Sequence, residues 1–115
     1  MADVAVKRIY EQAADGDGQR ILVDRIWPRG VSRARAALDA WMPEVAPSNE
    51  LRKWFGHDPQ RWDEFRARYR AELADSPHLE QLAAMIATSP ATLLYSARDT
   101  EHNQAVALAS ILADH

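Results

Sequence analysis

The sequence predicts an α/β fold: a small layered domain whose central, largely parallel sheet of three to four strands is flanked by about five helices. Three observations carry that expectation. Residues 4–10, 21–27 and 91–97 are short β-rich runs. The latter two are apolar on both faces, as in a sheet covered on both sides. Between them lies a long stretch of helical periodicity, and a parallel crossover needs such a connection.

The elements follow in order. VAVKRIY (4–10) alternates and is rich in β-branched residues, so it predicts a first strand. EQAADGDGQ is a polar turn, too short for a crossover helix. ILVDRIW (21–27) predicts the second strand, with Ile21, Val23, Arg25 and Trp27 on one face and Leu22, Asp24 and Ile26 on the other. Ser32 can cap a helix through RARAALDAW, ended by Pro43, and MPEVAP is expected to be extended because residues before proline avoid the helical region. Ser48 caps NELRKWF, with Gly56 as its stop. Asp58-Pro59 and Ser76-Pro77 each place a capping oxygen before a proline at the first helical position. The first of these helices carries Trp62, Phe65 and Tyr69 on one stripe; the second carries Leu79, Leu82 and Ile86. ATLLYSA (91–97) predicts the third strand, adjacent and parallel to the second. Asp99 or Thr100 then caps a last helix with Val106, Ala109 and Leu112 inward.

Composition narrows the function classes. With 115 residues, 47% of them hydrophobic and 27% charged, the chain is expected to form one domain, residues 1–115, with a real core. A net charge of −3 argues against broad electrostatic binding to duplex nucleic acid or anionic lipid, while leaving room for a local basic pocket. There is no cysteine, which excludes thiol catalysis, disulfides and Cys-ligated zinc. The four histidines show no ligand spacing and no acidic loop resembles a calcium site, so no metal and no cofactor are expected. Neither a signal-peptide core nor a bilayer-length apolar run is present, and a cytoplasmic location without membrane contact is the expectation. Glycine-rich nucleotide fingerprints, a P-loop and a Gly-x-Ser-x-Gly elbow are all missing.

Chemistry concentrates at two strand ends. Arg25, Trp27 and Arg29 follow the second strand; Arg98, Asp99 and His102 follow the third. If those strands are parallel, both groups lie at the carboxyl edge of the sheet, where open α/β sheets bind ligands. Two arginines can grip phosphate or carboxylate bidentately, Trp27 offers a stacking face, and a helix N-terminus favours an anion. Each residue also has a structural reading. Asp24 and Arg25 can pair with charges on neighbouring helices, Trp27-Pro28 can turn the chain, and Asp99 can be only a cap. His57 follows Gly56 in a tight link; its imidazole can serve as general acid or base, or simply hydrogen-bond a nearby carbonyl.

The succession KRIY, LVDRIWPRG, APSNELRKWFGHDPQRWDEFRARYRAEL and TLLYSARDTEHNQA resembles the YeaO-like branch of a bacterial domain-of-unknown-function family, from about Val6 to Leu112. The resemblance implies a compact cytoplasmic α/β domain and no particular reaction. Its signature segments contain Arg25, Trp27, Arg29, His57, Arg98, Asp99 and His102, and they add Arg52 to the candidates. The resulting expectation is a pocket for a small anionic or nucleotide-like molecule. Arg25, Trp27, Arg29, Arg52 and Arg98 would bind the ligand, and His57, Asp99 and His102 would handle protons if the protein is an enzyme. Two alternatives stand beside it: a non-catalytic regulatory or nucleic-acid-associated module using the same basic-aromatic edge, and a subunit contact around Trp27.

Overall fold

A computed structural model describes residues 4–115. Four strands form one sheet in the order β1-β4-β2-β3, and every neighbouring pair is parallel. They are β1 (Val4–Arg8), β2 (Gln19–Leu22), β3 (Ala40–Trp41) and β4 (Ala91–Tyr95). The helices are α1 (Arg33–Ala36), α2 (Asn49–Phe55), α3 (Trp62–Leu73), α4 (Pro77–Thr88) and α5 (Gln104–Ala113). The segments expected to be adjacent and parallel do pair: Ile21 lies opposite Leu93 and Leu22 opposite Leu94.

The sheet separates two apolar layers. Ile21, Val23 and Leu93 face a large cluster that includes Phe55, Phe65 and Tyr69, the α4 leucines Leu79 and Leu82, and Leu108 of α5. Leu22 and Leu94 face a thinner cluster with Ile9, Val31 and Ala36, against which Tyr10, Trp27 and Trp41 pack. The alternation along β2 therefore works as pattern reasoning requires. It ends early, because the ladder stops after Val23 donates to the Leu94 carbonyl (3.0 Å). Beyond that point the chain leaves the sheet, and Trp27 lands on the face opposite Ile21 and Val23 rather than the same one.

The caps at Ser48, Asp58 and Ser76 act as expected, each side chain accepting from a backbone N–H of the following turn. Four expectations need correction. The helix after Ser32 lasts one turn, since Ala37 turns left-handed (φ 49°). The next residues become β3: Asp39 N–H donates to the Arg20 carbonyl (2.8 Å) and Met42 N–H to Leu22 (2.9 Å). An open edge of β2 outcompetes the modest helix propensity of this segment, a short helix being marginal without tertiary support. Within MPEVAP, Met42 and Ala46, which precede prolines, stay outside the helical region, while Pro43–Val45 forms a 3₁₀ turn. The last helix is capped by Asn103, whose side chain accepts from Val106 N–H (3.0 Å). Its buried residues are Ala105, Ala107, Leu108, Ile111 and Leu112, so Val106 and Ala109 sit at the margin. Finally, Phe65 and Tyr69 are buried as expected, but Trp62, on the first turn of α3, is half-buried.

Candidate pocket at the carboxyl edge of the sheet

The Asp24-Arg25 pair is where β2 turns into the site. Asp24 is buried, and its carboxylate accepts from Ser96 N–H at the end of β4 (3.1 Å) and from the Gln104 amide at the start of α5. One side chain thus ties two strand ends to a helix start. Burial pushes the Asp24 carboxyl above its ordinary range, against the opposing pull of the hydrogen bonds from Ser96 and Gln104.

Arg25 points the other way, donating from Nε to the Pro47 carbonyl (3.1 Å) and from Nη2 to that of Ala46 (3.1 Å). These carbonyls belong to the turn before α2, so the arginine braces that turn against the strand end. Among the described residues no carboxylate pairs with it; the partners are backbone dipoles. Tyr69 braces the same turn from α3, its buried hydroxyl donating to the Val45 carbonyl, and burial raises its pKa far above the ordinary tyrosine value.

Between these supports lies a cavity of about 150 Å³. Its base and walls include Asp24, Arg25, Phe55, Phe65, Ser96 and Gln104, and Arg52, His57 and Ile26 also line it. Arg52 is exposed, with its guanidinium 3.5 Å from the Asn49 side-chain oxygen. His57 is exposed and left-handed (φ 57°), directly after left-handed Gly56 (φ 55°). Two such residues in succession turn the chain sharply between α2 and α3 and bring the imidazole to the cavity. Histidine is among the residue types that accept this conformation more readily than most. Ile26, 62% exposed, is the large hydrophobic side chain left open to solvent among the described residues, and it lies on this cavity.

Three of the sequence-predicted residues therefore converge: Arg25, Arg52 and His57. The other five lie elsewhere. Trp27 packs edge-on against Trp41 with its indole N–H donating to Val31 (2.8 Å), and Arg29 sits in an exposed turn. Arg98 is exposed past β4. Asp99 caps its own turn, accepting from Glu101 N–H (2.9 Å) and His102 N–H (3.0 Å); these bonds hold its carboxyl below the ordinary range. His102 pairs with Asp99 (3.0 Å) and meets the ring of Trp62 edge-on. Asp24, Ser96 and Gln104 are the polar lining residues that sequence reasoning did not assign to the site. A carboxylate inside an apolar strand run was the available signal for Asp24; Gln104 had none beyond its place beside the cap. Among the described residues no three His, Asp or Glu side chains cluster as a metal ion would require, and no helix is long and apolar enough to cross a membrane.

A parallel sheet with helical layers and a cavity at the carboxyl ends of adjacent strands defines a small α/β domain. Residues 3–115 match a family model described as the inactive DUF488-N3 subclade, and the chain belongs to that family, DUF488-N3i. It is 45% identical to the uncharacterised protein YeaO of Escherichia coli (strain K12) over 111 residues, covering 96% of each chain. Uncharacterised proteins of Mycobacterium tuberculosis (strain H37Rv) and Mycobacterium bovis are each 43% identical over 109 residues, covering 95% of this chain and 92% of theirs. No solved structure matches the chain at a significant level.

Proposed function

We propose that the carboxyl-edge cavity binds the anionic group of a small molecule, and that it does so without turnover. The convergence of Arg25, Arg52 and His57 on one cavity carries this reading. Of the five guanidinium N–H groups of an arginine, Arg25 commits two to carbonyls, so three remain for a ligand. Arg52 lies at the same cavity and is free to swing onto a phosphate or carboxylate. Phe55, Phe65 and Ile26 supply apolar contact for the rest of the ligand. A cavity of about 150 Å³ takes a phosphate- or carboxylate-sized group rather than an enclosed nucleotide, and Trp27 is not positioned to stack on a base there.

The absence of turnover rests on three supports. Asp99 and His102 satisfy each other outside the cavity. The Asp24 carboxylate is already engaged by two donors. The family is described as inactive.

Thermal shift and calorimetric titration with inorganic phosphate, pyrophosphate and short dicarboxylates test the proposal. At a hundredfold excess over Kd, a bound anion adds about 2.7 kcal/mol of stability. Arg52→Ala, at an exposed position, is expected to melt like wild type and to lose the shift. If none of these anions raises wild-type melting, or if Arg52→Ala responds like wild type, the anion-binding reading fails.

A further inference from the structure

The basic-aromatic edge divides into two places, and the half outside the cavity has its own organisation. Tyr10, Trp27, Arg29, Arg33 and Arg35 meet at one corner on the opposite side of the sheet. Tyr10 donates its hydroxyl to the Arg29 carbonyl (3.0 Å), and Arg35 donates to the Tyr10 carbonyl (3.2 Å). The Arg33 guanidinium lies over the Trp27 ring, 4.5 Å from its centroid, and that of Arg8 lies over Tyr10 at 4.9 Å. Gly30, left-handed at φ 77°, makes the turn that holds Arg29 at the surface. Arg29, Arg33 and Arg35 are exposed; the two aromatic rings are half-buried.

Charge balance separates this corner from the face around α3. On and before α3, Arg61, Arg66, Arg68 and Arg70 are each paired with a carboxylate. Among the described residues, Arg8, Arg29, Arg33 and Arg35 have no such pair. The acid that touches this corner is Glu11, which accepts from the Arg8 backbone N–H (3.2 Å). A chain of net charge −3 thus carries a local excess of positive charge where guanidinium groups lie over aromatic rings.

We infer that this corner is a binding surface for single-stranded nucleic acid. The three exposed arginines supply N–H forks for phosphates. The guanidinium of Arg33, held over Trp27, leaves its outer side to a base, and guanidinium and aromatic planes are the platforms on which unpaired bases stack. Duplex binding would require a broader basic face than three exposed arginines provide. An acidic peptide would use the charges but not the planes. The cavity proposed above is on the other face, so the two readings stand or fall separately.

Fluorescence anisotropy with a labelled oligothymidylate of roughly ten nucleotides, a length within one protein site, tests the inference at low and rising salt. A labelled oligoglutamate of equal charge and a blunt duplex serve as comparators. For three phosphate contacts, log Kd is expected to rise with log salt with a slope of about 2. Arg29→Ala and Arg33→Ala, checked for unchanged melting, should each weaken binding severalfold and reduce that slope by roughly 0.7. Arg52→Ala, at the cavity, should bind the strand like wild type. The inference is overturned if the oligothymidylate does not bind, if oligoglutamate or duplex binds as tightly, or if Arg52→Ala weakens binding as much as Arg33→Ala does.

Discussion

Phe65 is the side chain on which the core and the cavity most depend. It is 1% exposed and stacks on Phe55 with ring centroids 4.3 Å apart, while Trp62 and Tyr69 each lie at 5.7 Å. Truncation to alanine removes roughly 100 Å² of buried apolar surface, worth about 2.5 kcal/mol at ~25 cal/mol per Å². The close stack on Phe55 adds about 0.5–1.5 kcal/mol beyond burial. The sum, about 3–4 kcal/mol, agrees with the usual cost of such truncations. Because Phe65 also lines the cavity, water can enter the space left behind, which favours the lower end. Urea unfolding followed by circular dichroism and tryptophan fluorescence measures the loss, with an unchanged m-value showing that the denatured state is the same. In a chain of this length the melting temperature should fall by about 12–16 °C, at roughly 4 °C per kcal/mol. A loss below about 1.5 kcal/mol would mean that the aromatic stack is not close-packed and that the cavity wall is softer than the geometry implies.

Two further outcomes follow from single contacts. Asp24→Ala leaves the Ser96 N–H without its acceptor and should cost about 1–3 kcal/mol, whereas Asp24→Asn, which can still accept there, should cost less. Because burial raises the folded-state pKa of Asp24 above 3.8, the native state binds the extra proton in that window. Wild type should therefore lose stability relative to Asp24→Asn as pH rises from 3.8 through the raised value; a constant difference between pH 3 and 7 in parallel urea titrations would contradict the assignment. Gly18 is left-handed (φ 65°), and a Cβ there would lie 2.3 Å from the Pro90 carbonyl oxygen that also accepts from Gln19 N–H. Gly18→Ala should cost at least about 1–2 kcal/mol from the backbone conformation alone, with faster hydrogen exchange at Gln19; an unchanged urea midpoint would rule this out.

What the sequence determined by itself was everything set by short-range chemistry. Ser48, Asp58-Pro59 and Ser76-Pro77 announced three helix starts because a capping oxygen and a proline act within one turn of where they stand. The β2 and β4 runs announced buried parallel strands because both faces are apolar, and their carboxyl ends were legible as the place to look for a cavity. Tertiary structure decided the rest. Residues 40–41 stand where a helix was expected but became a strand, since the open edge of β2 offers hydrogen bonds that no local pattern records. Arg25 and Trp27 are two apart and share a predicted face, yet they part company. The ladder ends after Val23, and from there Asp24 follows Ser96 and Gln104 while Trp27 follows Trp41 and Val31. Arg52 and His57, distant from Arg25 in the chain, reach the same cavity only because α2 packs beside the strand ends and two left-handed residues turn the chain after it. Alternation encodes the face of a residue only while the strand lasts, and convergence depends on contacts between segments far apart in sequence.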